Sequence, residues 1–212
     1  MKFKYIFWDN DGVLVDTEPL YLQASREALA RVGITLSENN FARISLTEGR
    51  SIFDLASERG LPDNTIADLR RWRNARYADL LETEDVTIKG AREVLEALYG
   101  KIGMAIVTSS QKHHFEIIHR RTGLLGFFDF CLTRGDYAMS KPAAEPYLLA
   151  LQLSRYHAEQ ALVIEDSPRG LSAAKSAGLT CWVIPGQHTG EESFAQADRI
   201  LRSIDEIPGL VL

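Results

Sequence analysis

Five short apolar runs, each broken off by polar residues, leave few folds open to this chain. They lie at residues 3–8, 102–107, 128–132, 161–164 and 180–184. Each is too short for a buried helix and nearly continuous in apolar residues, the pattern of a strand covered on both faces. Helical periodicity fills the intervals at 91–99, 113–122, 145–153 and 169–177, and Gly100, Gly123 and Gly178 stand where three of these helices would end. Strands alternating with helices of about ten residues predict an α/β fold, a parallel sheet with helices on both faces.

One stretch breaks the alternation. Residues 20–32, 52–59 and 67–81 read as helices punctuated by Gly33, Gly60 and Pro62, and no strand-like run lies among them. The expected organisation is an α/β core of residues 1–18 and 86–212, with a small helical domain, 19–85, inserted after the first strand. The crossings fall at 15–18 and 83–89, and 212 residues suffice for one substantial core and a smaller unit.

Charge and cysteine usage narrow the partners. A formal net charge of -5 argues against nucleic acid or an anionic membrane, which reward a basic face. Cys131 and Cys181 sit far apart in apolar runs and read as small buried hydrophobes in a reducing compartment. The first apolar run stops at acids after a few residues, so it is neither a signal peptide nor a membrane span; a cytoplasmic monomer is the expectation. Arg70, Arg71, Arg73 and Arg76, beside Trp72 and Tyr77, read as a solvated helix face. His113, His114 and His119 have no acid or cysteine at metal-ligand spacing and are given no role.

Four polar clusters fall at or just beyond the ends of these strands. Asp9 and Asp11 are two residues apart in extended chain, so both carboxylates project to one side, and Gly12 permits a tight turn after them. Thr108, Ser109 and Ser110 end the second apolar run, where they can bind an anion beside a helix start or simply cap that helix. Lys141, before Pro142, can carry a fixed positive charge. Glu165 and Asp166 end the fourth run and offer the oxygens that a hard cation needs. Any one cluster has an ordinary reading as a turn or cap. All four at one sheet edge make an inventory for phosphoryl transfer, with nucleophile, proton shuttle, anion cradle, cation and metal ligands.

The order Asp9-x-Asp11-Gly-Val-Leu, Thr108, Lys141-Pro142 and Glu165-Asp166 resembles the four-motif signature of the haloacid-dehalogenase-like hydrolases, over essentially the whole chain. Asp16-Thr17-Glu18-Pro19 and the helical insert resemble the subgroup with a helical cap, which holds phosphoglycolate-type phosphatases and β-phosphoglucomutase. The resemblance implies a Rossmann-like core under a closing cap and a Mg²⁺-dependent phosphatase of small phosphorylated metabolites. It implies that Asp9 attacks phosphorus and forms an aspartyl-phosphate, while Asp11 serves as acid and then base. Thr108, Ser109 and Lys141 would hold phosphoryl oxygens; Asp9, Asp11 through its backbone carbonyl, Asp166 and Glu165 would surround the metal. Dehalogenation does not use Asp11 and the paired acids, and a phosphonatase would want a lysine in the insert, which has none. A β-phosphoglucomutase-like mutase and a non-catalytic phosphate-binding module are the alternatives. Against the mutase, Tyr21 and Ile52 stand where its histidine and arginine are expected, with Arg50 displaced.

Overall fold

Six strands among the described residues pair in parallel: β1 (Tyr5–Trp8), β2 (Gly103–Gln111), β3 (Phe130–Arg134), β4 (Ala161–Glu165), β5 (Thr180–Val183) and β6 (Arg199–Ile200). The computed structural model describes residues 3–186 and 191–212. Their order across the sheet is β3-β2-β1-β4-β5-β6. The chain therefore runs outward from β1 through β2 to β3, then crosses back to β4 on the other side of β1. Loops leaving the carboxyl ends of β1 and its neighbours diverge at such a reversal and leave a crevice, the usual ligand site of an open α/β sheet.

Alternation along the strands builds both faces. Tyr5, Phe7, Ala105, Val107, Ala161, Val163, Cys181 and Val183 pack in one cluster with Tyr147 and Ala150 of α7 (Glu145–Ser154) and Leu171, Ala173 and Ala174 of α8 (Pro168–Ser176). The intervening Ile6, Trp8, Met104, Ile106, Leu162 and Ile164 are equally buried. Side chains of this size stabilise by about 1.5–3 kcal/mol each when fully buried, and a sheet buried on both faces reads as unbroken apolar runs. Helices α5 (Ala91–Leu98) and α6 (Lys112–Thr122) connect the elements around β2. α6 closes on Gly123 at φ 63°, where its N–H reaches back to the carbonyl of His119.

The chain divides into two compact units, Met1–Asp16 with Val86–Leu212, and Thr17–Asp85. The second unit is helical: α1 (Glu18–Ala30), α2 (Glu38–Phe41), a π-helical turn (Ala42–Thr47), α3 (Asp54–Glu58) and α4 (Asp63–Thr83). Leu22, Leu29, Phe41, Ile44, Phe53, Ile66 and Leu69 form its own core. α4 starts four residues earlier than the sequence pattern implies, directly after Pro62. α2, capped by Ser37 Oγ accepting from Asn40 N–H at 3.2 Å, is too short to show a helical period.

Two further expectations need correction. Arg73 does not lie on a solvated face: it is 8% exposed, with its guanidinium 4.2 Å from the Tyr21 ring centroid and 5.4 Å from that of Phe53. Its Nη1 has no hydrogen-bond partner among the described residues. Arg76 is tied to Glu27 at 2.7 Å. Cys181 is buried but Cys131 only half-buried, and both are free thiols. Among the described residues no helix is long and apolar enough to cross a membrane.

Candidate active site

The ladder of β1 continues one residue past Trp8, since Asp9 N–H donates to Ile164 O at 2.9 Å. Asp9 is thereby fixed at the crevice, 8% exposed. The chain then turns sharply: Asn10 O accepts from the N–H groups of Leu14 (2.8 Å) and Val15 (3.1 Å), and Gly12 N–H donates to Val15 O at 2.8 Å. Gly12 is required twice over. Its φ is +83°, and a Cβ there would overlap the Asp166 carboxylate.

Lys141 comes from the segment between β3 and α7 and spends its three protons within the core unit. Nζ donates to Asp9 Oδ1 (2.8 Å), Glu165 Oε1 (2.6 Å) and Val107 O (2.8 Å). Burial alone would lower its pKa, but the charges of Asp9 and Glu165 outweigh that and hold it raised. Glu165 is fully buried and engaged at both oxygens. Oε1 also accepts from Tyr147 OH at 2.7 Å, and Oε2 accepts from Asp166 N–H (3.2 Å), Ser167 N–H (3.4 Å) and Ser167 Oγ (3.1 Å). A Cβ at Gly170 would overlap this carboxylate, so α8 approaches it as only a glycine allows.

Carboxylate oxygens of Asp9, Glu165 and Asp166 all lie within 4.8 Å of one another. Burial and then the charge of Glu165 raise the Asp9 carboxyl, with Lys141 opposing; burial and then Asp9 raise Asp166 well above the ordinary carboxylate range. Three acids against one ammonium leave an excess of buried negative charge on hard oxygen donors. That donor set fits a hard divalent cation.

The Asp11 carboxylate is not one of this group. Its Oδ2 accepts from Ser110 Oγ (2.6 Å), Thr108 Oγ1 (3.3 Å) and Asn10 Nδ2 (3.3 Å). Thr108, 1% exposed, also accepts from Ser110 N–H at 3.0 Å and is braced by Tyr137 OH donating to its carbonyl at 2.6 Å. These hydroxyls do precede a helix start, as expected, but none of them caps it. β2 runs on to Gln111, with its pairing to β3 shifted between Val107 and Gln111, so Thr108, Ser109 and half-buried Ser110 belong to an irregular strand end. α6 starts at Lys112 without a side-chain cap.

Three residues with polar contacts in the site had no role assigned from the sequence: Asn10, His119 and Tyr147. His119 is corrected from a residue without a role to one that meets Asn10, with Nε2 2.8 Å from Asn10 Oδ1. Period two would have put Asn10 on the opposite side of the strand from Asp9, but no local signal ties it to a helix 109 residues away.

A parallel sheet that gathers strand-end acids, a lysine and a hydroxyl at its switch point defines an α/β enzyme with a buried carboxylate–lysine centre. Residues 6–184 match the haloacid dehalogenase-like hydrolases, and the chain belongs to that family. It is 32% identical over 216 residues to protein CbbY of Cereibacter sphaeroides, covering 97% of this chain and 94% of that one. It is 33% identical over 179 residues to the phosphorylated carbohydrates phosphatase of Thermotoga maritima, covering 82% and 81%. The crystal structure of CbbY from Rhodobacter sphaeroides in complex with phosphate matches with a TM-score of 0.83 at 29% identity, over 99% of this chain and 100% of that one.

Proposed function

We propose that the protein is a Mg²⁺-dependent phosphatase that hydrolyses a small phosphate monoester through an aspartyl-phosphate on Asp9. The observation that carries the reading is the Lys141 ammonium bonded to both Asp9 and Glu165, with Asp166 completing a three-acid group within 4.8 Å. Asp9, Asp166 and the backbone carbonyl of Asp11 would hold Mg²⁺. Glu165 has five protein donors on its two oxygens, and its work is to hold Lys141 beside Asp9. When bound, Mg²⁺ supplies positive charge that offsets repulsion between the Asp9 carboxylate and an anionic ester.

The chain's own groups divide the reaction into two displacements. An Asp9 carboxylate oxygen bonds to phosphorus as the ester P–O bond breaks, and the departing alkoxide takes a proton from Asp11. A water then gives a proton to Asp11 as its oxygen bonds to phosphorus, and the P–O bond to Asp9 breaks to release phosphate. Thr108, Ser109 and Lys141 would hold the phosphoryl oxygens, Lys141 by turning one of its three protons from its present acceptors. We assign the helical unit, residues 17–85, the choice of substrate. The names of the relatives support phosphorylated sugars as the first class to test.

Assay of a phosphate-ester panel, with Mg²⁺ and with EDTA, tests the reading. Phosphate release that needs Mg²⁺ and is lost in Asp9→Asn is expected; a folded Asp9→Asn variant with near-normal turnover contradicts it. Hexose phosphates should be hydrolysed or ignored but not isomerised. Arg50, displaced from the place where a mutase's arginine is expected, is engaged by Glu48, Asp54 and Glu58.

A further inference from the structure

Three buried side chains outside the acid–lysine group form a single line that ends on Asp11. His119, on α6, is 3% exposed, with Nδ1 2.9 Å from Thr122 Oγ1 and Nε2 2.8 Å from Asn10 Oδ1. Asn10 is fully buried and reaches onward from Nδ2 to Asp11 Oδ2 at 3.3 Å. The direction of every bond follows from its end. A carboxylate only accepts, so the amide nitrogen of Asn10 faces Asp11 and the amide oxygen faces His119. An oxygen facing Nε2 requires a proton there, which in a neutral ring leaves Nδ1 to accept from the Thr122 hydroxyl. That hydroxyl oxygen in turn accepts from Leu124 N–H at 3.3 Å. Burial keeps the ring neutral, lowering the imidazole to about 4 against the opposing charge of Asp11. The line thus runs one way, from a backbone N–H beyond α6 to the carboxylate, and such chains strengthen as each bond polarises the next.

The other donors to this carboxylate, Ser110 and Thr108, come from β2. Asn10 approaches from the α6 side, so the carboxylate is gripped from two elements. We infer that His119 and Asn10 are positioning residues for Asp11, holding its carboxylate where it exchanges a proton with the leaving alcohol. The inference rests on the assignment of Asp11 as general acid and base. Neither residue touches the reacting atoms; both act through where Asp11 is held. Misplacement of a reacting group by about 1 Å is enough to cost up to ~10²-fold in rate.

Leaving-group dependence separates this role from simple satisfaction of buried polar groups. A nitrophenolate departs without a proton, whereas an alkoxide does not. The experiment measures kcat/KM for His119→Leu, His119→Gln, Asn10→Leu and Asp11→Ala on p-nitrophenyl phosphate and on alkyl phosphates, with folding checked by thermal unfolding. His119→Leu and Asn10→Leu should lose about 10-fold or more on alkyl esters and less than about 3-fold on p-nitrophenyl phosphate. His119→Gln, whose amide nitrogen can stand in for Nε2, should keep most of the alkyl-ester rate. Equal losses on both ester types, or no rescue by glutamine, overturn the positioning role. Asp11→Ala distinguishes the two failures: without a leaving-group-dependent loss there, the acid–base assignment falls and the inference with it. Such a loss in Asp11→Ala alone overturns only the inference. Isotope-edited NMR of the imidazole nitrogens in the unsubstituted protein gives a check that needs no variant. A neutral Nε2–H tautomer near neutral pH is expected, and an Nδ1–H tautomer overturns the line.

Discussion

Replacing Lys141 by methionine keeps most of the side chain's volume and removes its charge. The residue is 4% exposed, and loss of its ammonium strips one bond each from Asp9, Glu165 and the Val107 carbonyl. Glu165 keeps Tyr147, Ser167 and two backbone donors, yet it is left as a fully buried carboxylate with no cation bonded to it. Breaking a buried pair by removing one partner costs about 3–5 kcal/mol. At about 2–4 °C per kcal/mol for a chain of this length, Tm should fall by on the order of 10 °C. The double variant Lys141→Met/Glu165→Gln removes the stranded charge as well, so it should recover at least about 1 kcal/mol relative to Lys141→Met. Urea unfolding of the single and double variants at pH 7 without added metal measures both. A single-variant loss below about 1 kcal/mol, the range of an exposed ion pair, would refute the reasoning, as would a double variant less stable than the single.

Gly12→Ala faces both a left-handed φ of +83° and overlap with the Asp166 carboxylate, so unfolding free energy should drop by about 2 kcal/mol. The Mg²⁺ concentration for half-maximal activity in the same variant should rise about 10-fold or more, measured by metal titration. His119 gives a pH signature of known sign. Its folded value of about 4 lies below the ordinary 6.5, so the unfolded chain binds the extra proton between them. That contribution is complete above pH 6.5 and is lost as pH falls toward about 4, worth about 3 kcal/mol over the window. Asp9, raised by burial, acts in the opposite sense; the stability of the parent minus that of His119→Gln, followed by urea unfolding across this window, isolates the histidine.

The sheet was readable because β1 and β4 are buried on both faces, which leaves residues 5–8 and 161–164 without a polar interruption. Its edges were not. β6 is two residues with both side chains exposed, too little for any pattern to register. Thr108 to Ser110 had two open readings, an anion site and a helix cap, and the cap fails for a chemical reason. Hydroxyl residues before a helix ordinarily cap it, but here pairing with β3 carries the strand across a register shift and directs Thr108 and Ser110 toward Asp11. Asp9, Asp11, Lys141 and Glu165 could be picked out because carboxylates and ammonium groups are rare where apolar strands end. Asn10 and His119 carry no such mark: an Asp-Asn-Asp turn looks like turn chemistry, and a helical histidine like surface. Arg73 was misjudged because its neighbours Arg70, Arg71 and Arg76 make the whole stretch look solvated, while aromatic faces from two other segments cover it.

A crystal structure of the protein grown with Mg²⁺ and beryllofluoride, which mimics a phosphoryl group on a carboxylate, bears most directly on how the site works. The account predicts beryllium bonded to an Asp9 carboxylate oxygen, one Mg²⁺ shared by Asp9 and Asp166, and Lys141 still in contact with Asp9. Beryllofluoride on another residue, or a metal bound away from both Asp9 and Asp166, would contradict it.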